Sequence, residues 1–79
     1  MDVQKEYDRV FVEIFEIDEE KLKENLEFNS IETWDSIGHL SLISELEECF
    51  DISLETDDIV DFSSYEKGKE ILKKYGVAF

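Results

Sequence analysis

Three side chains able to carry nucleophilic or proton-transfer chemistry fall within one short stretch. Asp35, Ser36 and His39 stand in Trp34-Asp35-Ser36-Ile37-Gly38-His39-Leu40. One chemistry for such a set makes serine the nucleophile, histidine its base and aspartate the group that orients the histidine. Its usual surroundings are missing: no Gly-x-Ser-x-Gly elbow encloses Ser36 and no oxyanion donor set accompanies it, so a hydrolase is rejected. His39 is read as a helix residue or local hydrogen-bond partner, with contact to a phosphate group on Ser36 as a lesser role. The other chemistry needs only that Ser36 begin a helix. Unpaired N–H groups and the helix dipole favour phosphate there. A phosphodiester on Ser36 would sit in that field, which partly offsets adding negative charge to an acidic chain. From Asp-Ser-Ile alone, an ordinary serine at a helix start explains as much.

The elements that must hold this junction can be read from periodicity. Val3, Tyr7, Val10, Phe11, Ile14 and Phe15 draw one apolar stripe, which predicts a helix from about Asp2 to Glu16 with Asp2 at its positive end. Ile17 to Asp35 shows no long period and is too long for a structureless connection in a small domain. Asp18 is expected to cap a short turn, Leu22 and Leu26 to share a face, Asn29-Ser30 to turn, and Phe28, Ile31 and Trp34 to pin the loop. A second helix is expected from Ser36 to about Asp51, with Asp35 as its N-cap. Ile37, Leu40, Ile43, Leu46 and Phe50 mark its expected buried face; Glu45, Glu47, Glu48 and Asp51 lie mostly away from it. Leu42 stands off that stripe and is read as marginal core before exposed contact. Thr56 or Asp57 is expected to cap a brief helix through Asp58–Asp61, turning Ile59 and Phe62 inward. Ser63-Ser64-Tyr65-Glu66 reads as a capping box for a last helix to Tyr75 that buries Tyr65, Ile71 and Leu72. Gly68 inside that helix suggests close packing, Gly76 a stop, and Val77 a fold back onto the helix.

Composition narrows the class further. The chain has 79 residues, no proline and three glycines, with no hairpin signal, so a single all-α domain over 1–79 is expected: three main helices, one short helix, and a long loop between the first two. Twenty-two acids against eight bases give a net charge of −14, which excludes a nucleic-acid binder and disfavours an anionic membrane surface. A basic protein partner fits that field. Cys49 is alone, so no internal disulfide is available. The polar start and the lack of a spanning apolar run make a soluble, cytoplasmic monomer the expectation. Asp57, Asp58 and Asp61 do not have the spacing of a calcium loop, and no metal site is expected.

The order of these elements, with their residues, resembles the acyl carrier protein family over nearly the whole chain. The match rests on Asp35-Ser36-Ile37 at a helix start, Leu40, Leu42 and Ile43, Leu46-Glu47-Glu48, Phe50-Asp51-Ile52 and Asp57-Asp58-Ile59. The resemblance implies that Ser36 carries 4′-phosphopantetheine, installed from coenzyme A by a phosphopantetheinyl transferase with magnesium, and that Asp35 assists docking or metal placement on that enzyme. It also implies that acyl or aminoacyl groups ride as thioesters on the arm and are delivered to acyl-loading and acyl-transfer enzymes with basic patches, in fatty-acid, polyketide or related specialised biosynthesis. The chain would be no enzyme itself. Glu45, Glu47 and Glu48 with Ile37 and Leu42 would form the partner-facing surface. Gly38 and Ser41 stand where fatty-acid carriers often have acids, and Trp34 where they often have a small residue. Trp34-Asp35-Ser36 with His39 is closer to specialised stand-alone carriers, including D-alanyl carrier proteins. The competing expectation is a small acidic helical adaptor that binds a basic partner without any prosthetic group.

Overall fold

Asp2 fixes the start of the first helix. Its carboxylate accepts the Lys5 N–H at 3.1 Å from an extended backbone, and α1 runs Val3–Phe15 from there. In this computed structural model, which describes residues 2–79, the predicted stripe is the inward face: Tyr7, Val10, Phe11 and Phe15 are buried, with Val3 and Ile14 half-buried. Glu16 ends the helix in the left-handed region at φ 54°, its N–H returning to the Val12 carbonyl.

The long connection is ordered throughout. A 3-10 turn occupies Glu19–Lys23, and Leu22 and Leu26 are both buried as expected. Asp18 starts that turn with its backbone carbonyl, which accepts from Lys21, rather than with its side chain. The Asn29-Ser30 turn closes through the Ser30 hydroxyl, which donates to the Glu27 carbonyl at 2.6 Å. Phe28 N–H to Ser63 C=O and Tyr65 N–H to Leu26 C=O, both 2.9 Å, then tie the loop to the far end of the chain.

The second helix, α2, runs Ser36–Phe50 and corrects the expected face. Leu42, Ile43 and Leu46 point inward, whereas Ile37 is 77% and Leu40 62% exposed. Steps of three residues precess around a helix of 3.6 residues per turn, so Ile37, nine residues before Leu46, emerges on the opposite side. The inward arc is instead His39, Leu42, Ile43, Leu46 and Phe50.

The short helix α3 covers Thr56–Asp61. Neither Thr56 nor Asp57 caps it; Glu55 holds the N-cap position without a side-chain bond. Phe62 is buried and Ile59 half-buried, but the side chain that α3 turns furthest inward is Asp58. It accepts from Lys74 Nζ at 2.6 Å and from the Tyr75 hydroxyl at 2.5 Å, while the Tyr75 oxygen accepts the Glu55 N–H at 3.0 Å.

The last helix, α4, spans Tyr65–Lys74 and is capped by Ser64, not Ser63: Ser64 Oγ accepts the Lys67 N–H at 3.0 Å. Ser63 is held by its pairing to Phe28, which places the extended residue before the helix one position later. Tyr65, Ile71 and Leu72 are buried, and Val77 folds back to the Leu72 carbonyl at 3.2 Å. A Cβ on Gly68 would overlap the Phe62 ring and the Tyr7 hydroxyl, so this glycine permits the approach of α4 to α1.

Phe11 lies at the centre of the resulting all-helical bundle. Its ring meets Tyr7 at 4.9 Å, Tyr65 at 5.3 Å, Trp34 at 5.5 Å and Phe15 at 5.7 Å, in tilted or edge-on pairs. Among the described residues no buried side-chain nitrogen or oxygen lacks a hydrogen-bond partner. No described helix is long and apolar enough to cross a membrane.

Candidate functional site

The first turn of α2 is built from the loop side. Thr33 donates its hydroxyl to the Phe15 carbonyl at 2.9 Å, satisfying an acceptor at the end of α1. The Thr33 carbonyl lies so close over Gly38 that a Cβ there would overlap it. Trp34 is fully buried between Phe15, stacked at 5.0 Å, and His39, stacked at 6.3 Å. With the chain pinned on both sides, Asp35 holds extended backbone and its Oδ1 accepts the Gly38 N–H at 2.8 Å, the expected N-cap.

Ser36 is then the first helical residue and is exposed. The hydrogen bonds around it join Asp35 to Gly38 and Trp34 to His39 and leave its hydroxyl outside. The Ser36 and Ile37 N–H groups precede the first intrahelical bond, which runs from His39 N–H to the Asp35 carbonyl at 2.8 Å. That is the half-positive end of a 15-residue helix.

His39 faces away from Ser36. Its Nδ1 accepts from the Trp34 indole at 3.0 Å and its Nε2 lies 2.8 Å from the Ile59 carbonyl, a pair of contacts that defines the Nε2–H tautomer. Both ring nitrogens are used inside, so neither the serine–histidine pair of a hydrolase nor a histidine contact to a group on Ser36 is assembled here. Asp35 uses one carboxylate oxygen, Oδ1, for the cap and is itself exposed.

The expected partner-facing residues separate. Ile37 and Glu48 are exposed and Glu45 half-buried. Leu42 is 0% exposed, which bears out its reading as core, and the docking contact that the resemblance implied for it has no exposed side chain to make it. Glu47 is half-buried and its Oε2 accepts the Leu54 N–H at 2.8 Å, which anchors the link after α2. Leu40, expected on the buried face, instead lines an open depression of about 470 Å³ beside Ser36 with Ile37, Ile14, Ser41, Ser44 and Glu45. Helical angles, rather than spacing alone, carry the signal that would have found it. A second, apolar groove of about 210 Å³ lies on the other side of the helix start, lined by Phe28, His39, Ile59, Val60, Phe62 and Ser63.

Away from this end, Cys49 is half-buried with its sulfur 3.5 Å from Glu6 and 3.7 Å from Arg9. Burial first, then the Glu6 carboxylate, push its thiol up, which keeps it protonated and slow to react. Arg9, reinforced by Cys49, holds Glu6 below its ordinary value.

No family model matches this chain, and no curated protein matches it.

Proposed function

We propose that this chain is an acyl carrier protein, modified with 4′-phosphopantetheine at Ser36 and serving a dedicated biosynthetic pathway. The observation that carries the reading is the exposed, unengaged Ser36 hydroxyl at the first position of α2, with its helix end fixed by the Asp35 cap and by buried Trp34. The residues fit the group: an exposed nucleophile, free N–H groups and a helix dipole favour a phosphodiester at this point. In the modification step Ser36 Oγ bonds to the β-phosphorus of coenzyme A as the pyrophosphate bond breaks. Adenosine 3′,5′-bisphosphate leaves, and the hydroxyl proton passes to the transferase. The arm's terminal thiol supplies thioester chemistry for acyl or aminoacyl groups.

The chain itself offers position and a docking face. Ile37 and Leu40 supply apolar contact beside Ser36, and Glu45 and Glu48 supply charge for basic patches on partner enzymes. Each exposed ion pair contributes only about 0.2–1 kcal/mol, which suits repeated docking and release in the cytoplasm. Gly38 and Ser41, where primary fatty-acid carriers often carry acids, favour a separate partner set.

The test is incubation with coenzyme A, magnesium and a broad-specificity phosphopantetheinyl transferase, followed by intact mass. The expected result is a gain of one phosphopantetheine on the wild type and none on Ser36→Ala. A folded wild type that gains no mass beside a modified control carrier would leave the acidic adaptor as the better account.

A further inference from the structure

One ring bridges the two sides of the helix start. His39 is the single histidine of the chain and stands one turn after Ser36 on α2. Its Nδ1 accepts from the Trp34 indole at 3.0 Å, and its Nε2 donates to the Ile59 carbonyl at 2.8 Å. The first bond reaches back past Ser36 to the loop; the second reaches forward to α3. Phe28 lies 5.5 Å from the ring, Phe62 6.0 Å and Trp34 6.3 Å. With Ile59, Val60 and Ser63 the ring forms a wall of the open apolar groove, so water reaches it. Among the described residues that stack on the ring or line this groove, from the loop, from α3 and from the link to α4, none is ionisable. On α2 itself the acid one turn earlier is Asp35, whose Oδ1 accepts the Gly38 N–H.

The two bonds answer a proton differently. Neutral imidazole has one donor and one acceptor, whereas imidazolium has two donors. A proton on Nδ1 would set N–H against the indole N–H of Trp34, and the loop side of the bridge would open. The Nε2 bond to Ile59 would gain charge assistance and stay. Trp34 is fully buried, so its N–H would be left inside without an acceptor, and the residue would have to shift. Resting on the carrier reading above, we propose that His39 is a positioning residue for the modification of Ser36. As neutral imidazole it holds Trp34, and with it the entry to α2, in register. As imidazolium it releases that side alone, and Ser36 becomes a poorer acceptor of the arm in acid. Imidazole is the side chain whose ordinary titration falls between about pH 5 and pH 8, so the release lies close to neutral pH.

The experiment has two arms, both run from about pH 8 to about pH 5.5. The first follows the nitrogen-15 resonances of the wild-type chain: the His39 ring, the Trp34 indole, and the amides of Gly38 and Ile59. The indole N–H and the Gly38 amide are expected to shift together with the ring nitrogens, while the Ile59 amide holds. Ring nitrogens that keep the neutral pattern throughout, an indole N–H that ignores their titration, or an Ile59 amide that moves as far as the indole would each overturn the one-sided release. The second arm measures modification by a phosphopantetheinyl transferase with coenzyme A and magnesium, taking ratios between variants on the same enzyme at each pH. His39→Asn places a carbonyl oxygen where Nδ1 stands, so it accepts from Trp34 without titrating; His39→Leu offers no acceptor. Near pH 8 wild type and His39→Asn should both exceed His39→Leu, and by pH 5.5 wild type alone should lose that excess. A ratio of wild type to His39→Asn that stays constant with pH would overturn the positioning role with the carrier reading intact. If His39→Asn does not fold, Trp34→Phe, which lacks the indole donor, replaces it, and wild type should fall toward its rate in acid. No mass gain on any form beside a modified control carrier would overturn the carrier reading and the positioning role together, while the resonances still decide the release.

Discussion

The indole N–H of Trp34 donates to Nδ1 of His39 at 3.0 Å, joining the residue two before Ser36 to the residue three after it inside the protein while Ser36 faces out. The bond holds the loop and the helix in one register, so the cap at Asp35 forms where the serine needs it. Trp34→Phe keeps the aromatic packing but leaves the imidazole acceptor unpaired. The expected loss is about 1–3 kcal/mol, the penalty for a buried polar group without its partner, read as a lower urea midpoint. Trp34→Ala removes the packing too, for about 3–5 kcal/mol. A small domain has only about 5–15 kcal/mol in all, so this variant should show unfolded signal in native buffer.

Gly38 should resist replacement for a reason that helix propensity does not contain. On a free helix surface, Gly→Ala gains up to about 1 kcal/mol. Here the added methyl would meet the Thr33 carbonyl, a backbone atom held by the Thr33 bond to Phe15, with the Phe15 ring 3.3 Å away. Gly38→Ala should therefore lose about 1–3 kcal/mol, the range for overpacking, and Gly38→Glu at least as much. Equilibrium unfolding checks the sign. A stabilised Gly38→Ala would mean that the loop does not lie where it is described.

What the sequence discloses divides by distance along the chain. Asp35 is legible as a cap because capping joins residues only three apart, and the α1 stripe is legible because every spacing in it agrees with one face. The α2 stripe misleads because repeated steps of three precess; only the summed angle shows that Ile37 and Leu40 leave the core as Leu42 enters it. The α4 cap moves from Ser63 to Ser64 because the pairing of Ser63 with Phe28 decides it from outside the helix. Asp58 reads as one acid among several because its partners, Lys74 and Tyr75, are 16 and 17 residues away. At the site, Ser36 and Asp35 are legible for the same local reason. The inward commitments of His39 to Ile59 and of Glu47 to Leu54 depend on packing that no local pattern encodes.

Asp58 gives the fold a specific response to acid. The Lys74 ammonium, then the Tyr75 hydroxyl, hold its carboxyl below the ordinary carboxylate value. A carboxyl lowered in the folded state contributes fully above its unfolded value, near pH 4. That contribution is lost as pH falls toward the folded value, because the unfolded chain takes up the proton first. The melting-temperature difference between wild type and Asp58→Asn should therefore be steady from about pH 7 to about pH 5 and close below about pH 4. Other carboxylates titrate in both proteins alike, so the difference isolates this one. A gap that persists at low pH would show that the Asp58 contacts do not depend on its charge.

Salt should stabilise the whole molecule. Twenty-two acids face eight bases, and among the described ion pairs only Arg9–Glu6, Arg9–Glu13 and Lys74–Asp58 are closer than 3 Å. The screening length is about 30 Å at 0.01 M salt and about 8 Å at 0.15 M. The molecule measures 29 × 27 × 19 Å, so at the lower salt its charges repel across its full width. Melting temperature should rise steeply over that interval and more slowly beyond it, with magnesium acting at lower concentration than sodium. Flat melts would mean that repulsion among these acids is not what limits stability.

The apolar residues of α2 should sort by face rather than by hydrophobicity. Leu42 is fully buried, and Leu42→Ala should lose about 2–5 kcal/mol. Ile37 and Leu40 are mostly exposed, and their alanine variants should unfold within about 0.5 kcal/mol of wild type. Their effect belongs to docking: with a phosphopantetheinyl transferase, Ile37→Ala and Leu40→Ala should raise KM for the carrier while leaving kcat near the wild-type value, since they remove contacts made equally before and during phosphoryl transfer. Glu48→Lys should raise KM as well, and by less in high salt, where the attraction it removes is already screened. Steady-state modification rates across carrier concentrations, with unfolding curves on the same samples, separate the two classes. If Ile37→Ala and Leu40→Ala modify as wild type does at every concentration, partners approach Ser36 from another side, and the groove bounded by Phe28 and Val60 becomes the face to vary next.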